Sequence, residues 1–299
     1  MIMLITNNFA ANIDSIYDKI SYSTVQIRTK FISRPDVVGT GTGFFFVFDL
    51  PGKGKIPCLI TNKHVTRKHV MPNPIENSIE GEITFHLKNG EGKPEGALPC
   101  NITNSSWQWV DHPNNDIDLC ALPLIPIIEE LRTTKGLDIF FYFLDKSNVI
   151  NPQELDKLSP VSDILMVGYP NGLIDRVNNF PIFRTGITAS HPGRNFNGKA
   201  EFLIDSACWQ GSSGSPVFIK GPSITIRGKG LHIASELEHK FLGVLWGGQE
   251  RTAQGIVSTE IPIALIPNVQ AAVNIPINLG FVVHAKEILA IEEELKKIR

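Results

Sequence analysis

A serine framed by glycines is the part of this sequence best suited to chemistry. Residues 211–217 read GSSGSPV, which puts Gly211 two positions before Ser213 and Gly214 directly after it. Glycines leave room for a substrate carbonyl to approach the main chain, and they accept backbone angles that aim two N–H groups at one point. A serine hydroxyl is a weak nucleophile until a base takes its proton. The segment is therefore a candidate nucleophile turn, and the alternative is an ordinary Ser/Gly-rich loop.

A candidate base lies upstream, at the end of an apolar segment. Residues 59–65 read LITNKHV, so a short apolar run ends in a polar break that carries His64. A second histidine, His69, follows in the KHV of residues 68–70. We favour His64 because the preceding apolar strand belongs to its segment, and we interpret His69 as a loop histidine.

An aspartate that could orient the base lies between the histidine and the serine. Residues 114–124 read NNDIDLCALPL and offer both Asp116 and Asp118. We favour Asp118, because residues 119–122 after it are all apolar or small, as a buried strand should be. Asp116 would then be a solvated turn residue. The order His, Asp, Ser also disfavours an α/β-hydrolase, in which the order is Ser, Asp or Glu, His.

Taken together, these segments resemble the trypsin/chymotrypsin-like serine proteases, and in particular the bacterial branch that includes the HtrA/Deg proteases. That branch has a Gly-Ser/Thr-Gly-Phe strand, Leu-Thr-Asn-x-His-Val, Asp-(Ile/Leu)-Ala-x-Leu and Gly-x-Ser-Gly-(Gly/Ser)-Pro-Val. The matching segments are GTGF at 41–44, LITNKHV at 59–65, DLCAL at 118–122 and GSSGSPV at 211–217. The VLWG at 244–247 and the NLGFVV at 278–283 are similar to later strands of the family. The resemblance spans roughly residues 22 to 298.

The resemblance implies a serine endopeptidase that acts through an acyl-enzyme. Ser213 would attack the scissile carbonyl, His64 would accept and return the proton, and Asp118 would orient the imidazole. The backbone N–H groups of Gly211 and Ser213 would form the oxyanion hole. The residues that would bind substrate are Ala207, Leu245, Trp246, Gly247 and Gly280. Because Ala207 at the pocket floor is not acidic, we predict a neutral pocket that prefers small or medium apolar side chains. The alternative function is a non-proteolytic peptide-binding or regulatory module on the same fold.

The same resemblance implies an all-β fold of two six-stranded antiparallel Greek-key barrels, with a helix at each end. The predicted organisation is a helical segment at 1–21, a first barrel at 22–125, a connection at 126–160, a second barrel at 161–283 and a helix at 284–299. The predicted strands are 24–29, 43–48, 57–62, 82–87, 118–124, 164–169, 181–188, 201–205 and 216–219. We expect a leading helix over 8–20, loops at 71–75 and 89–99, and an insertion at 249–276. The apolar stripe predicted for the last helix is Ile288, Ile291, Leu295 and Ile298.

Composition narrows the partners. The chain has 299 residues, of which 42% are hydrophobic and 19% charged, enough for a sizeable core. The net charge of −2 gives no reason to expect a nucleic-acid partner. The 4 cysteines make no Cys-x-x-Cys pair, so we predict neither a zinc site nor another cofactor. We expect protein or peptide substrates and a possible regulatory protein partner.

The ends of the chain and the residue before the nucleophile complete the predictions. The apolar start is too short for a signal peptide, and no segment has the roughly 18 apolar residues of a membrane span. We therefore predict a reduced, cytoplasmic, bacterial protein without membrane association and without an appended PDZ domain. Secreted members of the family have an acidic residue where this chain has Ser212. In those members the acidic residue pairs with the newly cut N-terminus and so activates the enzyme. Ser212 cannot form that ion pair, and we predict a regulated or latent resting state.

Overall fold

Strands dominate the architecture. The computed structural model describes residues 13, 15–31, 33–68, 76–77, 80–102, 108–220, 223–227, 230–234, 239–256 and 270–298. The helices of this part are α1 Ile16–Ser23, α2 Lys63–Thr66, α3 Ile125–Lys135, α4 Pro152–Leu155 and α5 Lys286–Leu295, with a 3-10 turn at Pro170–Gly172. The strands before α3 are β1 Thr24–Phe31, β2 Arg34–Leu50, β3 Gly54–Thr61, β4 Arg67–Lys68, β5 Glu76–Asn77, β6 Glu80–Lys88, β7 Pro94–Asn101, β8 Val110–Asp111 and β9 Cys120–Pro123. The later strands are β10 Ile139–Phe140, β11 Asp163–Gly168, β12 Ile182–Thr188, β13 Glu201–Asp205, β14 Pro216–Ile219, β15 Ser223–Arg227, β16 Gly230–Ala234, β17 Phe241–Ile256 and β18 Gln270–His284.

The C-terminal half contains a closed antiparallel barrel of six strands. Its strands follow the order β11, β12, β13, β18, β17, β14 and back to β11. Ile164, Met166, Phe202, Ile204 and Val282 are among the buried residues that fill its interior. The predicted strands at 164–169, 181–188, 201–205 and 216–219 all lie in this barrel, and its six-stranded antiparallel form confirms the prediction for this half.

The N-terminal half forms an antiparallel eight-stranded sheet in the order β10, β6, β1, β2, β3, β9, β8, with β7 beside β6. Over the described ranges its hydrogen-bond ladder is not closed, so a first six-stranded barrel stays a prediction. The three consecutive phenylalanines of β2 show how the sheet is buried. Phe44 and Phe46 point into the core that the sheet shares with the barrel, whereas Phe45 points into the core of the sheet itself. This alternation explains why a strand buried on both faces appears as an uninterrupted apolar run.

Two regions differ from the sequence prediction. The segment 89–99 was expected to be a loop, but β7 begins at Pro94 and pairs with β6, with Leu98 and Ala97 buried. Proline is tolerated there because β7 is an edge strand with one free side. The segment 126–160 was predicted as a connection between barrels, yet α3 runs for 11 residues, from Ile125 to Lys135, and is capped by Gly136, whose φ is 63°.

The terminal elements match the predictions in part. Helix α1 begins after Ser15, which forms a capping box with Asp18, and it ends at Ser23 rather than near Ser21. Residues 8–12 and 14 of the predicted leading helix lie outside the described residues. Helix α5 buries Ile288, Ile291 and Leu295 as expected, whereas the fourth residue of the predicted stripe, Ile298, is 38% exposed. That part of the prediction was wrong because α5 ends at Leu295.

The region around the predicted insertion is a hairpin. Strands β17 and β18 pair beyond the barrel as far as Ile256 opposite Gln270. The described part of 249–276 is therefore a two-stranded extension of the barrel, and residues 257–269 lie outside the described residues. None of the helices in the described ranges is both long and apolar enough to cross a membrane.

Candidate active site

His64 lies at the end of the buried strand β3, on the one-turn helix α2. Its Nδ1 atom is 2.5 Å from Oδ2 of Asp118, and its backbone N–H donates to Oδ1 of the same carboxylate at 3.2 Å. The side-chain amide of Asn62 donates to the Asp118 carbonyl at 2.7 Å and fixes the loop from the other side. The His64 ring is 48% exposed, and within the described ranges its Nε2 atom has no hydrogen-bond partner. A carboxylate that holds Nδ1–H leaves Nε2 as the proton acceptor, which is what a general base needs.

The structure separates the two candidate aspartates. Asp118 contacts His64, whereas Asp116 is exposed, and its backbone N–H donates to the Asn114 side chain at 3.0 Å. Asp118 lies in the loop before β9, which begins only at Cys120, so the predicted strand 118–124 started two residues early. The rival histidine, at position 69, lies outside the described residues.

The turn that carries Ser213 depends on its two glycines. Gly211 has φ 84° and Gly214 has φ 88°, both in the region that side chains disfavour. A Cβ atom on Gly214 would lie 1.9 Å from the Thr42 carbonyl oxygen, and one on Gly211 would lie 2.4 Å from that of Tyr169. The backbone around Ser213 therefore packs against neighbouring backbone with no space for a side chain.

Two backbone N–H groups of this turn are available to a ligand. The carbonyl of Gln210 accepts a hydrogen bond from the Asn171 N–H at 2.5 Å. Because the N–H of a trans peptide points away from its carbonyl, the Gly211 N–H points away from Asn171. In the described part of the chain, neither the Gly211 nor the Ser213 N–H has an acceptor. Such a pair of donors could stabilise a developing oxyanion.

The segment 168–172, which reads GYPNG, has a structural role close to the site. Tyr169 is fully buried, and its hydroxyl donates to the Thr24 carbonyl at 3.0 Å. Asn171 takes a left-handed conformation with φ 52°, which presents its N–H to Gln210. The turn thus links β1 of the N-terminal sheet to the loop that carries Ser213.

The Ser213 hydroxyl donates to the Trp246 carbonyl at 3.3 Å. Among the described residues, Ser213 and His64 share no hydrogen bond. Catalytic hydrogen bonds are often long or poorly aligned before substrate binds, so this geometry leaves the two groups compatible with a nucleophile and base.

Beside Ser213, the buried hydroxyl of Ser212 has no partner within the described ranges. A regulated resting state stays a prediction.

Thr42 is a positioning residue that sequence reasoning missed. Its N–H donates to the Ser213 carbonyl and its hydroxyl to the Gly211 carbonyl, both at 2.8 Å. The same hydroxyl accepts from the Tyr169 N–H at 3.1 Å, and the Thr42 carbonyl accepts from the Thr61 hydroxyl at 2.7 Å. Thr42 therefore joins the serine turn to the strands of the N-terminal sheet. The GTGF motif marked the position, but only the folded chain brings its partners together.

The residues predicted to bind substrate lie along β17, β18 and the segment before Ser213. Ala207 and Gly247 are partly buried, and Gly280 is buried beneath the thiol of Cys208. Leu245 differs, because its side chain packs inside the barrel and is 1% exposed. Its backbone borders the turn, where its carbonyl accepts from the Gly214 N–H at 2.8 Å and its N–H donates to the Ser215 carbonyl at 2.9 Å.

The indole of Trp246 has a charged partner that sequence reasoning also missed. Its Nε1–H donates to Oε2 of Glu201 at 2.8 Å, and its ring lies 5.5 Å from that of Phe281. The Glu201 side chain is buried, so this charge-assisted hydrogen bond fixes the indole and the strand segment that faces Ser213.

Comparison with known proteins gives structural likeness alone. No family model and no curated protein matches the chain. Among solved structures, the Rv3671c protease of M. tuberculosis in its active form is similar at 15% identity, with a TM-score of 0.45, over 98% of this chain and 89% of that chain. A serine-to-alanine mutant of the same protein in its inactive form gives 14% identity and a TM-score of 0.42, over 98% of this chain and 96% of that chain. Likeness at this level says nothing about activity, which has to be argued from the site.

Proposed function

We propose that this protein is a serine endopeptidase. Ser213 is the nucleophile, His64 the general base and acid, and Asp118 the group that orients the imidazole. The Gly211 and Ser213 N–H groups bind the oxyanion. Peptide hydrolysis then proceeds in two steps, acylation of Ser213 with release of the amine, and attack by water on the acyl-enzyme.

The observation that carries the proposal is the double contact between Asp118 and His64. One carboxylate holds both the backbone N–H and the Nδ1 atom of the same histidine, at 3.2 and 2.5 Å. A histidine with a purely structural role would not need two hydrogen bonds from one carboxylate, because its ring is 48% exposed and could form hydrogen bonds with water instead. The available N–H pair at Gly211 and Ser213 supports the same function independently.

Labelling with a fluorophosphonate probe tests the proposal. The probe phosphonylates an activated serine, so the wild-type protein should gain one adduct, mapped to Ser213 by peptide mass spectrometry. Ser213→Ala and His64→Ala should abolish labelling, because one removes the nucleophile and the other its base. Asp116→Asn is the matched control and should be labelled like the wild type.

Two results would contradict the proposal. An adduct that persists in Ser213→Ala would show that another residue reacts. Folded wild-type protein that stays unlabelled, but binds peptides with measurable affinity, would favour the alternative of a peptide-binding module.

A further inference from the structure

An arginine lies on the inner face of the C-terminal barrel. Arg184 is on β12, directly opposite Met166 of β11. Residues directly opposite each other in an antiparallel pair lie on the same face of the sheet. Met166 is 1% exposed and belongs to the apolar core of the barrel, so Arg184 projects inward as well.

This arginine has an unsatisfied charge. Its Nη1 atom is buried, and across the described ranges it has neither a hydrogen-bond partner nor a salt bridge. An arginine cannot give up its proton to relieve this situation, although burial lowers the pKa of its guanidinium. A buried donor without an acceptor is unfavourable, and the deficit disappears when an acceptor is supplied. An anion bound beside Nη1 would supply that acceptor.

The register of the barrel places this charge beside the predicted substrate pocket. Strands β12 and β13 pair Ile187 with Asp205 and Thr188 with Ile204, and the same register continued by three residues sets Cys208 opposite Arg184. The Cys208 thiol in turn lies 2.4 Å from the position a Cβ atom would take on Gly280. Cys208 therefore lies between Arg184 and Gly280, the glycine predicted to line the substrate pocket.

The neighbouring polar groups cannot neutralise Arg184. Burial raises the pKa of the Cys208 thiol to about 11, so it is uncharged at neutral pH. The Ser206 hydroxyl, which is also buried, has no hydrogen-bond partner in the described part of the chain. It lies next to Gly186, where the Asp205 carbonyl oxygen and the Ser206 Cβ atom fill the position that a side chain would take. The region thus offers a cation and an unused hydroxyl, and Asp205, whose charge also acts on the Cys208 thiol, forms no salt bridge with Arg184 among the described residues.

We propose that Arg184 makes the primary pocket select an acidic side chain, glutamate above all, at the residue whose carbonyl Ser213 attacks. The inference rests on the proposed function and names its substrate class. Glutamate is favoured over aspartate because the guanidinium lies behind Cys208 and requires the longer side chain. The proposal replaces the neutral pocket predicted from Ala207, since the charge comes from another strand.

The carboxylate would receive charge-assisted hydrogen bonds from the guanidinium, and the Ser206 hydroxyl is placed to add another. Glutamine has the same shape without the charge. We expect the loss of the charge to reduce kcat/KM by about 10- to 100-fold. Leucine, which leaves the guanidinium unpaired, should be at least as poor a substrate.

The test compares peptidyl diphenyl phosphonates that differ only in the side chain at the attacked position, namely Glu, Gln, Leu and Lys. Their second-order rate constants for modification of Ser213 report pocket preference without the need for a complete hydrolytic cycle. Wild-type protein should react fastest with the Glu probe. Arg184→Met should lose that preference, and Arg184→Lys, which keeps the charge, should retain a weaker one.

Arg194→Met is the matched control, because it removes a positive charge from an exposed position of the same half and should keep the wild-type order. A Leu, Gln or Lys probe that reacts as fast as the Glu probe would overturn the inference. A Glu preference that survives in folded Arg184→Met would do the same. Failure of the proposed function looks different, because the small fluorophosphonate would then not label Ser213 at all.

Discussion

The two halves of the candidate site are held by different forces. His64 lies on the one-turn helix α2 and Asp118 in the loop before β9. Their side chains are 48% and 25% exposed, and the two residues are joined by hydrogen bonds. The Ser213 turn is held by steric fit, since Gly211 and Gly214 are buried against backbone. The chemistry of the first half can therefore be removed without loss of structure, whereas substitution of either glycine of the turn alters structure and chemistry together.

The largest effects are expected within the serine turn, where one substitution should remove only the chemistry and another should change the structure as well. Ser213→Ala should reduce kcat by about 10⁶-fold, and the free energy of unfolding should change by no more than about 0.5 kcal/mol. Gly214→Ala should be equally inactive, but it should also destabilise the protein by about 2–4 kcal/mol. Its methyl group meets the Thr42 carbonyl at 1.9 Å, and its φ of 88° is strained for alanine.

Urea unfolding and peptidase assays on both variants check this prediction. Peptidase activity in Gly214→Ala, or wild-type stability in that variant, would show that the turn is not sterically fixed.

Asp118→Asn should weaken catalysis without affecting the fold. An amide can still meet the His64 ring, but it stabilises the wrong tautomer and no longer stabilises the imidazolium, so we expect kcat to fall by about 10⁴-fold. Stability should stay close to the wild-type value, because the amide oxygen introduced by the substitution can still accept a hydrogen bond from the backbone N–H of His64. Steady-state kinetics and thermal unfolding provide the measurement. The neighbouring Asp116→Asn should be silent in both, and an equal loss in both variants would remove Asp118 from its assigned role.

The same contrast explains how much could be predicted from the sequence. Ser213, His64 and Asp118 stand in short local motifs, because a tight turn, a strand end and a glycine frame leave traces in consecutive residues. The individual strands of the barrel followed from apolar runs separated by Gly- and Pro-rich breaks, whereas the six-stranded barrel was implied by the resemblance to the protease family. Such features require only neighbours along the chain.

Contacts between distant segments could not be predicted in this way. Thr42 contacts Gly211 across 169 positions, and nothing in its local pattern identifies that partner. Arg184 resembled a polar interruption in a strand until the register with Met166 placed it inside the barrel. Strand β7 was missed because its prolines are typical of loops, while the edge position that makes them acceptable depends on the finished sheet.

A smaller effect is expected where the two halves of the molecule meet. His86, on β6, is buried, and its Nε2 atom accepts from the Asn179 side chain of the C-terminal half at 3.3 Å. Its ring also packs edge-on against Tyr22, with centroids 4.8 Å apart. Burial lowers its pKa from 6.5 to about 4, so the folded protein keeps this histidine neutral where the unfolded chain protonates it.

The direction of the pH dependence follows from that difference. The stabilisation is complete above pH 6.5 and is lost as the pH falls towards 4, because the unfolded state then binds one more proton. His86 should contribute a slope of about 1.4 kcal/mol per pH unit in that interval. His284, whose pKa burial also lowers to about 4, contributes a second slope of the same sign.

His86→Gln removes one of these slopes and leaves the other, since glutamine does not titrate but offers Asn179 an acceptor. Urea unfolding between pH 7 and 4.5 should therefore show a slope smaller by about one proton, about 1.4 kcal/mol per pH unit, than that of the wild type. His191→Gln, at a partly exposed position, is the control and should keep the wild-type slope. An unchanged slope in His86→Gln would mean that His86 is not held neutral where the halves meet. A reduced slope would show that the burial of His86 where the two halves meet contributes to the acid sensitivity of the folded protein.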